Sequence, residues 1–158
     1  MGITKSSARA DTLCMNTVAV GVFSLTLLTG AVIVGAVAIG LAAPLYALVY
    51  LAVAALLVGT VIAVFCTKCP LRGEKCLHVL PGRLAALLPA RQGKYTAVEI
   101  AVVVVALLLI LAIPQYWLLS QVPLFALFWV LAGTGVFLIN RRVCPVCGNR
   151  CCPLRPKE

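Results

Sequence analysis

Four apolar stretches, 17–43, 44–65, 97–119 and 123–140, limit what this chain can fold into. Each is near the ~20 residues a helix rising ~1.5 Å per residue needs to cross the hydrocarbon of a bilayer. None contains Lys, Arg, Asp or His, and Glu99 stands at the start of the third. With 63% hydrophobic and 11% charged residues, the 158-residue chain is too apolar for a soluble globule. The expected fold is an all-α integral membrane protein of four transmembrane helices, arranged as two antiparallel hairpins with a small cysteine-rich cytoplasmic cap. Its segments are 1–16 (cytoplasmic), 17–66 (first hairpin), 67–96 (cytoplasmic loop), 97–140 (second hairpin) and 141–158 (cytoplasmic tail).

Orientation follows from charge. All 13 Lys and Arg fall in the N-terminal segment, the long loop and the tail, whereas the two remaining connections carry none. An even number of spans puts those three segments on one face, and the positive-inside rule makes it the cytoplasmic face of the cell (inner) membrane. The net charge of +9 is spread along juxtamembrane segments with little aromatic interleaving. That suits anionic lipid headgroups and excludes a nucleic-acid groove as the expected use. The first apolar run is too long for a cleavable signal, and a second span follows it at once.

Local signals refine the plan. Asp11 or Thr12 is placed to cap the first helix. Small pairs at four-residue spacing, Ala31 with Gly35 and Ala36 with Gly40, let a neighbouring backbone approach. Pro44 suits a helix first turn, so the outer connection before it must be very short. Thr96 and Glu99 form a Thr-x-x-Glu capping box, which makes Glu99 a helix cap in preference to a catalytic acid. Tyr46, Tyr50, Tyr116 and Trp117 are placed as an outer aromatic belt, and Pro123 opens the fourth helix. Residues 82–88, bounded by Pro81 and Pro89, suit a short interfacial helix in which Arg83 snorkels.

Chemistry concentrates in cysteine. Seven of the eight cysteines lie in two segments that follow even-numbered spans: Cys66-x2-Cys69-x6-Cys76, and Cys144-x2-Cys147-x3-Cys151-Cys152. The only histidine, His78, lies two residues after Cys76. In a reducing cytosol structural disulfides do not persist, so metal binding or redox chemistry is expected. A two-residue gap lets one tight turn aim two sulfurs at one ion. The stretch Cys144-Pro145-Val146-Cys147-Gly148 resembles the knuckle of zinc ribbons and rubredoxins, and Cys66-Thr67-Lys68-Cys69-Pro70 can be its partner. Over about ten residues this identifies a metal-binding device and no whole family.

Three partitions of the ligands stay open. The two Cys-x2-Cys pairs can share one tetrahedral site. Alternatively Cys66, Cys69, Cys76 and His78 close one site, with Cys144, Cys147 and Cys151 or Cys152 forming another. In the third, Cys76, His78, Cys151 and Cys152 make a second shared site. Cys14 reads as an apolar filler.

No span offers an internal lysine, carboxylate or histidine for a proton relay, ion path or haem. The expected function is therefore non-enzymatic: a zinc-binding multi-pass membrane protein, serving as a structural or accessory subunit that meets the lipid bilayer, other membrane subunits or copies of itself. One alternative is electron transfer through a rubredoxin-like iron, an iron-sulfur cluster or a dithiol. Another is handling of soft metal ions, which thiolates bind well.

Overall fold

In the computed structural model the described residues are 4–73, 76–147, 149 and 152, with the side chains of 4–16 outside the description. The described chain is helical, with no strand: α1 (Thr4–Ala42), α2 (Pro44–Val64), α3 (Val79–Ala86), α4 (Ala97–Ala112), α5 (Gln115–Leu118) and α6 (Val122–Leu138). Four helical stretches are long and apolar enough to span a membrane, Thr17–Ala42, Pro44–Lys68, Ala97–Leu118 and Val122–Val143, and the chain is a multi-pass integral membrane protein.

The breaks between helices have local causes. Ala43 alone separates α1 from α2, and Pro44 takes the first turn of α2, where a missing amide donor costs nothing. The two helices then run back along each other, with Gly40 facing Ala47 and Gly35 facing Tyr50. α1 extends to Thr4, so Asp11 and Thr12 fall inside it and do not cap it. Ala8, Arg9, Ala10 and Leu13 are strong helix formers, and no proline or glycine stops the helix there. Likewise α3 begins at Val79, before Pro81, because proline is tolerated in a first turn.

Pro114 divides the third span into α4 and α5. Lacking an N–H, it leaves the Ile110 carbonyl without its helical donor. The Tyr50 hydroxyl of α2 donates to that oxygen at 3.1 Å. Gln115 Nε2 donates to the neighbouring Leu111 carbonyl at 2.6 Å. In hydrocarbon every backbone group must be satisfied, and these side chains supply what the kink removes. Tyr50 is therefore a buried interhelical donor (2% exposed) and leaves the aromatic belt to Tyr46, Tyr116 and Trp117, whose rings contact one another.

α1 is the hub. Its most extensive packing is with α6, then with α2, while α4 leans on α2. α4 and α6 thus rest on different helices, α2 and α1, and pack little on each other, unlike the second hairpin expected over 97–140. The α1–α6 seam is built from small residues: Ala31, Ala38 and Ala132 are buried around Phe128 and Leu118. At Gly135 an added Cβ would stand 3.1 Å from the Ser24 carbonyl oxygen of α1. Close approach of this kind replaces the hydrophobic drive that lipid cannot supply.

Candidate metal centre

The cysteines follow the ends of α2 and α6. α2 tightens into a 3-10 turn, Cys66–Lys68, closed by the Cys69 amide donating to the Cys66 carbonyl at 3.1 Å. α6 widens into a π-turn, Ile139–Val143, in which the Cys144 amide reaches back to the Ile139 carbonyl at 2.8 Å. Between the spans the 67–96 loop folds against the helix ends. Its backbone at Leu77 crosses α1 at Gly21, where an added Cβ would collide with the Leu77 carbonyl oxygen. Gly21 thus serves a loop crossing and not a helix pair. Gly82 of α3 touches Cys76 in the same manner, and its carbonyl accepts the Gly73 amide at 2.9 Å.

One ionic knot holds this end together. Lys68 Nζ lies 2.7 Å from Glu99 Oε2, and Arg91 Nη2 lies 2.9 Å from Glu99 Oε1. Glu99 also completes the capping box: its carboxylate accepts the Thr96 amide at 2.9 Å, and its own amide donates to Thr96 Oγ1 at 3.3 Å. A single carboxylate therefore caps α4 and fastens both ends of the loop. The Lys68 side chain is only 7% exposed, so losing Glu99 would strand a buried ammonium. Nearby, Tyr95 stacks on Phe65 at 4.6 Å and donates to its carbonyl at 3.2 Å.

Within this frame the two cysteine segments meet. Cys66 lies within electrostatic reach of Cys69 and Cys76. Cys69 also senses Cys147, as does Cys76. Cys144 senses Cys152 and Cys147. Asn149 of the tail is buried and donates to Cys69 Sγ at 3.5 Å. It also hydrogen-bonds with Tyr95. Cys69 Sγ accepts the amide of Leu71, and Cys76 Sγ that of His78. Both are amides two residues on, the arrangement by which a turn stabilises thiolate charge.

Burial is the first cause raising the thiols of Cys69, Cys76 and Cys144 above their ordinary value. Without a cation these groups hold their protons at neutral pH. Burial likewise pushes the His78 imidazole down, and its Nε2 is enclosed with no hydrogen-bond partner.

Of the eight residues expected to ligate, the structure thus brings five, Cys66, Cys69, Cys76, Cys144 and Cys147, into one neighbourhood with Cys152 beside them. His78 is joined to it through its amide. Cys151 lies outside the described residues, as do Gly148 and Arg150. Among the described residues no three His, Cys, Asp or Glu side chains are drawn together tightly enough to hold a metal ion. The sequence reading missed Asn149, Tyr95 and the pairing of Glu99 with Lys68 and Arg91. An acid at the end of a loop with six basic residues and one other acid, Glu74, was the available signal for Glu99; nothing in the sequence marks Asn149. Comparison with protein-family models, with curated proteins and with solved structures finds no match to this chain.

Proposed function

We propose that this protein is a metal-binding multi-pass membrane protein, a structural or accessory subunit whose zinc ion clasps the two halves of the chain together. The observation that carries the reading is the convergence of both cysteine segments, fixed by the Asn149 contact to Cys69. The favoured ligands are Cys66, Cys69, Cys76 and Cys147, in which Cys69 and Cys76 face both Cys66 and Cys147, with Cys144 and Cys152 as neighbours. Four thiolates suit tetrahedral Zn2+, and an ion would displace the protons these half-buried thiols retain. Completing the site requires the ion to draw these sulfurs together, since no three ligand side chains among the described residues are so gathered here. The cap then lies in the cytoplasm with both termini, because the basic residues gather at that end.

The test is elemental analysis with an absorption spectrum on detergent-purified protein. One zinc per chain and no visible absorbance is expected, whereas visible bands would mark iron or an iron-sulfur cluster and replace the clasp with electron transfer. Cys69→Ser and Cys147→Ser should each reduce metal content and loosen the same interface, and the double variant should be little worse than either. Full occupancy in Cys147→Ser would refute a shared site. Labelling of a reporter cysteine at Gln121 from the outer side alone checks the orientation.

A further inference from the structure

A second feature of this end adjoins the cysteine turn, with Cys69 in its wall. Between the 3-10 turn after α2 and the segment leading into α4 lies a cleft of about 450 Å³, bordered by Thr67, Lys68, Arg72, Arg91, Gln92 and Lys94. Four of those six side chains are cationic. Glu99 is the only acidic residue among those whose side chains are described, and it is already held by Lys68 and Arg91. Among the described residues the cleft therefore keeps an excess of positive charge after its internal pairing.

Its donors are also held in place. The Arg91 amide donates to the Thr67 carbonyl at 3.3 Å, which closes the two walls on each other. Arg72 Nη1 donates to the Leu88 carbonyl at 3.1 Å, which anchors the guanidinium and leaves it further N–H donors. Lys68 donates to the Lys94 carbonyl at 3.1 Å, so the Lys94 backbone is anchored while its side chain is exposed. Gly93, at φ +109, supplies the left-handed turn that carries the chain around the cleft between Arg91 and Lys94.

The level of the cleft matters as much as its charge. It sits where the spans Pro44–Lys68 and Ala97–Leu118 leave the apolar region, beside the stacked Phe65–Tyr95 pair. Aromatic rings and basic side chains at that depth occupy the headgroup layer.

We propose that this cleft is a binding site for a phosphate group, gripped by Arg72 and Lys94 with Arg91 and Lys68 behind them. An anionic phospholipid headgroup and free phosphate offer the same chemistry. The experiment separates them.

The full chain is reconstituted in nanodiscs of phosphatidylcholine containing a minor fraction of phosphatidylglycerol. Native mass spectrometry then counts the phosphatidylglycerol that stays bound, and inorganic phosphate is titrated in parallel by phosphorus NMR. One retained phosphatidylglycerol per chain is expected, with retention lowered ~30-fold in Arg72→Gln/Lys94→Gln, at about fivefold per basic group removed. The single exposed change Lys94→Gln should give its fivefold even if the double variant fails to fold. Arg83→Gln, on α3 and outside the cleft, should retain lipid as the unaltered protein does. Saturable binding of inorganic phosphate with the same dependence on Arg72 and Lys94 would assign the site to free phosphate. Equal retention by Lys94→Gln and the unaltered protein, or equal loss in Arg83→Gln, would overturn the proposal in favour of diffuse surface charge.

Discussion

Removing the Tyr50 hydroxyl should reveal how a proline is tolerated in the third span. Ile110 is buried, and its carbonyl has no intrahelical donor because residue 114 is proline. Tyr50 supplies its hydrogen bond at 3.1 Å from the neighbouring helix. Hydrogen bonds between membrane helices average ~0.6 kcal/mol and reach ~1.7. Tyr50→Phe should fall in the upper half of that range, at about 1–1.7 kcal/mol, since it strands a backbone oxygen.

In a Pro114→Ala background the restored backbone amide closes the helical bond to Ile110, and Tyr50→Phe should then cost only the ~0.6 kcal/mol average. Pro114 itself is buried against Gly35, so its own replacement has a packing cost, which cancels in the cycle. The coupling of about 0.5–1 kcal/mol corresponds to a two- to fivefold change in the folded-to-unfolded ratio. Reversible unfolding in mixed micelles, followed by Trp117 fluorescence, measures all four corners. Trp117 reports on the right region because it packs against the cluster containing Tyr50. An identical cost for Tyr50→Phe in both backgrounds would refute the account of the kink.

Other outcomes follow from the same contacts. Gly135→Ala should destabilise by ~1–3 kcal/mol, because its Cβ meets Leu28 at 3.0 Å and the Ser24 carbonyl at 3.1 Å. Gly133→Ala, two residues away with nothing within 4 Å, should be neutral or stabilising by up to ~1 kcal/mol in the same micelle titration. In the metal-free protein, the half-buried thiols of Cys69, Cys76 and Cys144 have folded values above the ordinary 9.0. Their stabilising effect is complete below pH 9 and is lost as pH rises through the folded values, with Tyr95, pushed up to about 12, adding to the loss above pH 10. Melting temperatures at about pH 8 and about pH 10 should fall in that order, and a rise would contradict the burial of these groups.

The spans were legible because hydrocarbon imposes one rule on every residue within it, and so were Pro44, the Thr96–Glu99 capping box and the small-residue pairs. Each of these depends on neighbours within a few positions. Pairing between distant residues was not legible. Nothing near Tyr50 announces that Pro114 will need its hydroxyl, and Gly21 looks like any membrane glycine until Leu77 crosses it. At the cysteine end, spacing marked which side chains carry the chemistry, whereas the neighbours that position them come from loop geometry. Asn149 reaches Cys69 across 80 residues of sequence, and no local period encodes such a contact.

The central place of α1 has a consequence for biogenesis. Of the four spans it is synthesised first, yet its largest interface is with α6, which is synthesised last. Through the making of α2 to α5 the face bearing Ala31, Ala38 and Gly30 has lipid or other proteins for company. Quality control that inspects unpaired small-residue faces would therefore see this chain as unfinished until its fourth span enters the bilayer. A nascent chain halted after α5 would hold two paired helices and a third leaning on them, with the hub of the bundle still open to capture by whichever membrane helix arrives first.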